Sequence, residues 1–427
     1  MTAPATGGTR PFPTDRLRVV ALGIVLLGLG FGTIRLVTQF DYGYDFSVYR
    51  AAGSAVLHHH SLLGPWIGER VPHALPFTYP PLAAVVAVPL ALVGDLVGFV
   101  VWNALSIVAL FAVVRACTTN LVERFDRPVI AFAVACACAL ALAPVQEEIR
   151  YGQVGIVLMA MCFFDCLPQP TRWPRGALVG AATAIKLVPG IFIPYLWLTG
   201  RRRAAAVATA TFVSLSVAGA VFTPGDSATF WTSRVFDNGR VGDIGYISNQ
   251  SLNGVLVRAF GPHEQVVWLL TAAVVVGFGL GRATVASRRG QELLGISLVA
   301  LAGVLASPVS WIHHLVWVVP ALAVLVDDGT SRRRVTIAAS AAALFTMRLP
   351  YLARSIPAGW HLGWIAAVLS DSDALVCVAL LIVLARVVSP NFRYPNFRYG
   401  ATRSNVRTRP QARRRSLRRL RTPAPRR

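Results

Sequence analysis

The sequence predicts an all-α polytopic membrane protein, and three observations carry the prediction. Hydrophobic residues fill 55% of the 427 positions and charged residues only 14%. The mean hydropathy is +0.57, outside the usage of soluble domains. Apolar stretches recur at roughly 19–38, 80–94, 97–115, 128–144, 154–167, 175–199, 204–222, 266–280, 293–306, 312–326, 335–350 and 363–387. Charge is lopsided, 41 basic residues against 19 acidic ones, and the arginines gather in a few of the intervening turns.

The first stretch, Val19 to Thr38, is long enough to cross ~30 Å of hydrocarbon at ~1.5 Å per residue. It follows Arg10, Arg16 and Arg18, which place residues 1–18 in the cytoplasm. It lacks the short apolar core and small-residue cleavage site of a secretory signal, so a retained first helix is expected. The segment from Pro80 to Gly94 is short, opens on two prolines and carries another at Pro89, which suits the outer interface rather than a crossing. The 175–199 stretch is interrupted by KLVPG at Lys186 to Gly190 and reads as two short helices meeting at the outer face. The chain then makes about twelve crossings with both termini inside. Every arginine cluster, at 115–127, 172–175, 201–203, 288–289, 332–334 and in the tail, faces the cytoplasm, as the positive-inside rule requires. Residues 19–387 form the membrane domain, 41–94 its first outer loop and 388–427 a basic tail. From Asn391 to Arg427 the tail holds 13 arginines and no acid. Attached to a last span, it suits anionic lipid headgroups or a disordered solvated tail rather than nucleic acid.

This topology gathers the chemically capable residues on the outer face. Asp41 and Asp45 follow the first span within DYGYDFSVYR. Two accounts fit Asp45: a carboxylate that accepts a proton from a hydroxyl, or a helix-end residue such as an N-cap. Lys186 is the only lysine in the chain, and an ammonium between apolar runs either meets an anion such as phosphate or snorkels to the interface. His313 and His314 stand where a helix re-enters the membrane. Adjacent helical residues point ~100° apart, so one can bind a ligand while the other packs. No metal site is read there or at His58–His60, since no carboxylate lies close in sequence. EEIRYGQ brings Glu147, Glu148, Arg150 and Gln153 into one short turn, and NQSLNG from Asn249 offers amides suited to a sugar. The six cysteines have neither disulfide-framework nor zinc-site spacing.

Several motifs coincide in order. DFSVYRAA, PFTYPPLAAVVAVPLAL, YGQVGIVLMA, PRGALVGAATAIKLVPG, NQSLNGVL and SPVSWIHHLVW resemble glycosyltransferase family 87, the polyprenyl-phosphate-mannose-dependent α-1,2-mannosyltransferases, over roughly residues 15–390. The resemblance implies a GT-C membrane fold with two juxtamembrane helices in the first outer loop and an outer-face active site. It implies a polyprenyl-phosphate mannose donor, a mannosylated phosphatidylinositol acceptor and inversion at the anomeric centre without a cofactor. By motif, Asp45 matches the general base, with Asp41 the second choice. His314, or else His313, matches the functional histidine, and Lys186 a phosphate ligand. Arg50, Tyr79, Gln153 and Asn249 fall among pocket residues. A divalent-metal version of GT-C chemistry needs further carboxylates, which Glu147 or Glu148 can supply. Two rivals are a transferase of another polyprenyl-phosphate sugar, such as arabinofuranose, and a transporter. The second is disfavoured because polar residues collect at one face instead of the midplane.

Overall fold

The computed structural model describes residues 43–262, 265–356 and 363–387. The expected first span, Asp41 and the basic tail lie outside the described residues. The described residues are helical without a strand, apart from an isolated antiparallel bridge between Asn249 and Trp311.

The first outer loop opens on the helix Tyr44–Leu57, whose N-cap Gly43 adopts the left-handed conformation (φ 73°). The apolar stretch after it breaks into Pro81–Val86 and Val88–Ala91, each with a proline in its first two positions and too short to cross a membrane. Arg50 ties these pieces together. Its guanidinium pairs with Asp95 and donates to the carbonyls of Leu90 (2.9 Å) and Val93 (2.7 Å).

Three described helices are long and apolar enough to cross a membrane: Asp95–Val122, Arg202–Phe222 and Gln265–Arg288. Two more qualify if each bent pair counts as one span, Pro128–Ala141 with Ala143–Tyr151 (74° bend) and Gly363–Ser370 with Ser372–Val387 (59° bend). Shorter apolar helices fill the interior. The 175–199 stretch forms Ala177–Ile185 and Val188–Leu198 around a break at Lys186, which is extended (φ −147°, ψ 129°). Pro189 then bars continuation of the first helix. The nine residues of Ala177–Ile185 rise only ~14 Å, about half of a ~30 Å hydrocarbon layer. Lys186 therefore stands at the junction of two short helices, where the sequence places the break.

Glu292–Ala306 is buried along nearly its whole length, as befits a helix that is apolar all round and forms a core. It packs against Gln265–Arg288, Val318–Val326 and Ser372–Val387. Peripheral helices instead expose apolar rows, Leu96, Val97, Val100, Val101, Leu105 and Val108 on one, and Val266, Leu269, Leu270 and Val274 on another. Such contiguous apolar faces require a non-aqueous neighbour. The protein is therefore an all-α membrane protein. Its arginine-bearing turns meet at one end: Arg124 pairs with Asp328 (2.6 Å), Arg201 with Glu292 (2.8 Å) and with the Cys166 carbonyl (2.7 Å), and Arg288 donates to the Leu198 carbonyl (3.2 Å).

Candidate active site

At the opposite end, four chain segments converge, joined by Tyr79 from the loop before Pro81–Val86. The first is the start of the Tyr44–Leu57 helix. Gly43 occupies its N-cap, so Asp45 is not the cap but stands in the first turn. Tyr49, one turn on, lies on the same face. The second segment is Ala143–Tyr151 with the turn that ends it. Gly152 closes that helix in the left-handed region (φ 68°), and a Cβ there would lie 2.7 Å from the Cβ of Phe46. The Gly43 N–H also donates to the Arg150 carbonyl at 2.9 Å. These contacts dock the Asp45 helix onto the Gln153 turn.

Gln153 is the hub. Its Oε1 accepts the hydroxyls of Tyr49 (2.7 Å) and Tyr79 (3.0 Å), which lie 2.9 Å from each other. With its oxygen engaged, its amide N–H donates to Asp45. Trp102 fixes the turn from behind, donating to the Gly152 carbonyl at 2.8 Å. Burial pushes the Asp45 carboxyl up to about 6, with the Gln153 hydrogen bond and the charge of Lys186 opposing the rise. A carboxylate so placed is ionised near neutrality yet more basic than a solvated aspartate.

The third and fourth segments bring Lys186 and the 307–317 turn. Lys186 Nζ donates to His314 Nε2 at 2.8 Å and lies 5.3 Å from the centre of the Tyr79 ring. Accepting at Nε2 places the neutral imidazole's proton on Nδ1. His313 turns elsewhere: its ring packs edge-on against Tyr151 at 5.8 Å. The pair thus splits as helical geometry demands, with His314 on the lysine. A narrow cavity of about 40 Å³ lies between Lys186, His314, Gly155 and Ser310.

Glu147 and Glu148 split in the same way. Glu148 stands within electrostatic reach of Lys186 and Asp45, and its Oε2 accepts the Ile156 N–H at 3.1 Å. A Cβ on Gly155 would lie 2.2 Å from Glu148 Oε1, so a larger residue there requires the carboxylate to shift. Glu147 faces away, paired at 3.5 Å with buried Arg348. Asn249 is fully buried and serves as a latch. Its Oδ1 accepts the Ser310 N–H at 2.9 Å, and its Nδ2 donates to the Ile244 carbonyl at 2.9 Å. The structure therefore brings Asp45, Tyr79, Gln153, Lys186 and His314 together, while Arg50, Glu147 and Asn249 act in the scaffold around them. Tyr49 joins the cluster unannounced by the sequence reading, although its four-residue spacing from Asp45 was a signal, and of the two carboxylates read from EEIRYGQ it is Glu148 that stands beside Lys186. Among the described residues, no three His, Cys, Asp or Glu side chains gather as a set able to hold a metal.

A carboxylate facing a buried ammonium–imidazole pair, at one end of a helical membrane protein, defines a site for a hydroxyl nucleophile and an anion. A family model described as glycosyltransferase family 87 matches residues 77–308. A polyprenol-phosphate-mannose-dependent alpha-(1-2)-phosphatidylinositol mannoside mannosyltransferase of Mycobacterium tuberculosis (strain ATCC 25618 / H37Rv) is 32% identical over 327 residues, 73% of this chain and 77% of the relative. Its namesake in Mycolicibacterium smegmatis is 32% identical over 357 residues, 78% and 80% of the two chains. A relative in Mycobacterium tuberculosis (strain CDC 1551 / Oshkosh), named for phosphatidylinositol pentamannoside, is 32% identical over 333 residues, 76% of each chain. No solved structure matches the chain. The chain belongs to glycosyltransferase family 87, and it is a membrane glycosyltransferase.

Proposed function

We propose that this protein transfers mannose from polyprenyl-phosphate mannose to a hydroxyl of a mannosylated phosphatidylinositol, forming an α-1,2 linkage with inversion. The observation that carries the reading is the placement of Asp45 opposite the Lys186–His314 pair, in a chain whose relatives are named for that donor and linkage. Asp45 accepts the proton of the acceptor hydroxyl as its oxygen attacks the anomeric carbon. The bond from that carbon to the phosphate oxygen breaks, and its electron pair leaves with the phosphate. Phosphate is a good leaving group, so the site's two tasks are deprotonation and charge stabilisation. Lys186, oriented by His314, performs the second. Since an ammonium fills this role, the reaction as proposed needs no divalent cation, and chelation should leave the rate unchanged.

The same reading gives the chain a GT-C organisation. The Tyr44–Leu57 and Pro81–Val86 helices lie at the outer interface, and the chain makes about twelve passes, the Ala177–Ile185 and Val188–Leu198 pair counted as two. The arginine-bearing end and both termini face the cytoplasm across the plasma membrane, with the 388–427 tail on anionic lipid. Purified protein given radiolabelled polyprenyl-phosphate mannose and a phosphatidylinositol mannoside should form a mannosylated product. Asp45→Ala should lower kcat by about 10²–10⁴-fold, the range for general-base loss. Full transfer by that variant would sink the mechanism, and labelled product from an arabinosyl donor alone would replace the sugar.

A further inference from the structure

A second cavity, of about 270 Å³, opens beside the long outer loop and is separate from the Lys186 pocket. It is roughly nine times the ~30 Å³ share of a liquid water, on the scale of a single sugar ring and too small for a lipid. Its walls are the 239–244 loop, Asn253 and Val257 of the helix Leu252–Phe260, and Gln265 and Trp268 at the start of Gln265–Arg288.

The lining has the composition that recognises a pyranose: an aromatic face beside a carboxylate and two amides. Trp268 supplies the aromatic surface, and its indole Nε1 is shielded from solvent with no hydrogen-bond partner. A shielded N–H without an acceptor costs free energy unless a ligand supplies one. Asp243 is fixed by accepting the Gly245 N–H through Oδ1 at 2.9 Å, which leaves Oδ2 for a hydroxyl. The Asn253 amide nitrogen is spent on the Pro308 carbonyl at 3.1 Å, so its oxygen remains as an acceptor. Among the described residues of the lining, the one charged side chain is the acid Asp243, which repels a phosphate and accepts from sugar hydroxyls.

The cavity also shares a wall with the candidate active site. The ring of Trp311 lies against Gly242, 3.6 Å from where a Cβ would stand, and the Trp311 carbonyl accepts the His314 N–H at 2.8 Å. Asn249 bridges to Trp311 from the loop side.

We propose that the 239–268 cavity is a glycan subsite, which holds a hexose of the acceptor other than the one being mannosylated. The inference rests on the acceptor class proposed above, and its test reads binding separately from transfer. In saturation-transfer NMR on the full-length protein in detergent, soluble α-mannotetraose should bind. Trp268→Phe, which keeps the ring and removes the N–H, and Asp243→Asn should each weaken that binding by about threefold to tenfold, as expected for one lost hydrogen bond. In the transfer assay, both should raise KM for acceptors with several mannoses toward the value for the shortest acceptor, with kcat and donor KM unchanged. Absence of tetraose binding by the parent protein, or variants that bind it equally well, would overturn the subsite. An equal loss for short and long acceptors would do the same. Binding that weakens in the variants, in a protein that transfers no mannose, would support the subsite and sink the proposed reaction instead.

Discussion

At the scale of single residues, the proposed mechanism sets a demand on protonation. Asp45 must be ionised to act as base, and burial sets its carboxyl at about 6. Because the carboxyl is raised, its active form is lost earlier on acidification than that of a solvated aspartate near ~3.9. The transfer rate should therefore be flat above pH 7 and fall about tenfold per unit well below pH 6. A pH–rate profile that stays level down to pH 4.5 would remove Asp45 from the role. The histidines differ more sharply. His314→Ala takes the acceptor from the Lys186 ammonium and should lower kcat by about tenfold to a hundredfold, the worth of a charge-assisted hydrogen bond. His313→Ala, which removes a ring packed on Tyr151, should cost less than His314→Ala. The reverse order would exchange their roles. Which histidine touches the lysine was not legible in the sequence. It depends on the short helical turn Ile312–Trp317, whose phase is set by Trp311 and the Asn249 latch more than sixty residues away.

At the scale of elements, the candidate site is assembled at breaks in helices. The bend after Ala141, the left-handed Gly152, the extended Lys186 and the Ile312–Trp317 turn each interrupt an apolar stretch where it reaches the site. Gly155 is the most exposed to test, because its helix begins against the Glu148 carboxylate. Gly155→Ala would drive a Cβ into that group and should lower stability by about 1–3 kcal/mol, the usual cost of overpacking. Thermal unfolding in detergent would measure it, and a variant as stable as the parent would show that Glu148 can move aside freely. The sequence exposed these elements unevenly. KLVPG announced its break through proline, and the prolines of 80–94 announced a segment that does not run on as one spanning helix, although not its division into two pieces. The bend after Ala141 was hidden, because hydropathy reports how apolar a segment is and not how far it runs before turning. The roles of Arg50 and Asn249 were hidden for a related reason: their partners, Asp95 and Ser310, come from other segments, and motif position alone does not give side-chain direction.

At the scale of the whole molecule, arginine turns joined at one end and polar site residues gathered at the other give the protein a direct test of orientation. The native cysteines are free, and all but Cys138 are buried. A cysteine introduced at exposed Asp243 should react with a membrane-impermeant maleimide on intact cells. One introduced at exposed Arg127 should react only after the membrane is opened. The opposite pattern would invert the proposed topology. All-α architecture and the break at Lys186 were legible because they follow from hydropathy and proline. The convergence of residues 45, 79, 153, 186 and 314 was legible only through motif resemblance, since contacts across so many residues depend on how the helices pack.

Lys186 has a further property that depends on composition. It is the single lysine in the 427-residue sequence, so its side chain is the chain's only primary amine apart from the terminus. An amine-selective acylating reagent is therefore a reporter of one pocket without any engineered label. Modification at that position, read by peptide mass, should be slowed when a polyprenyl phosphate occupies the site and left unchanged by a neutral polyprenol.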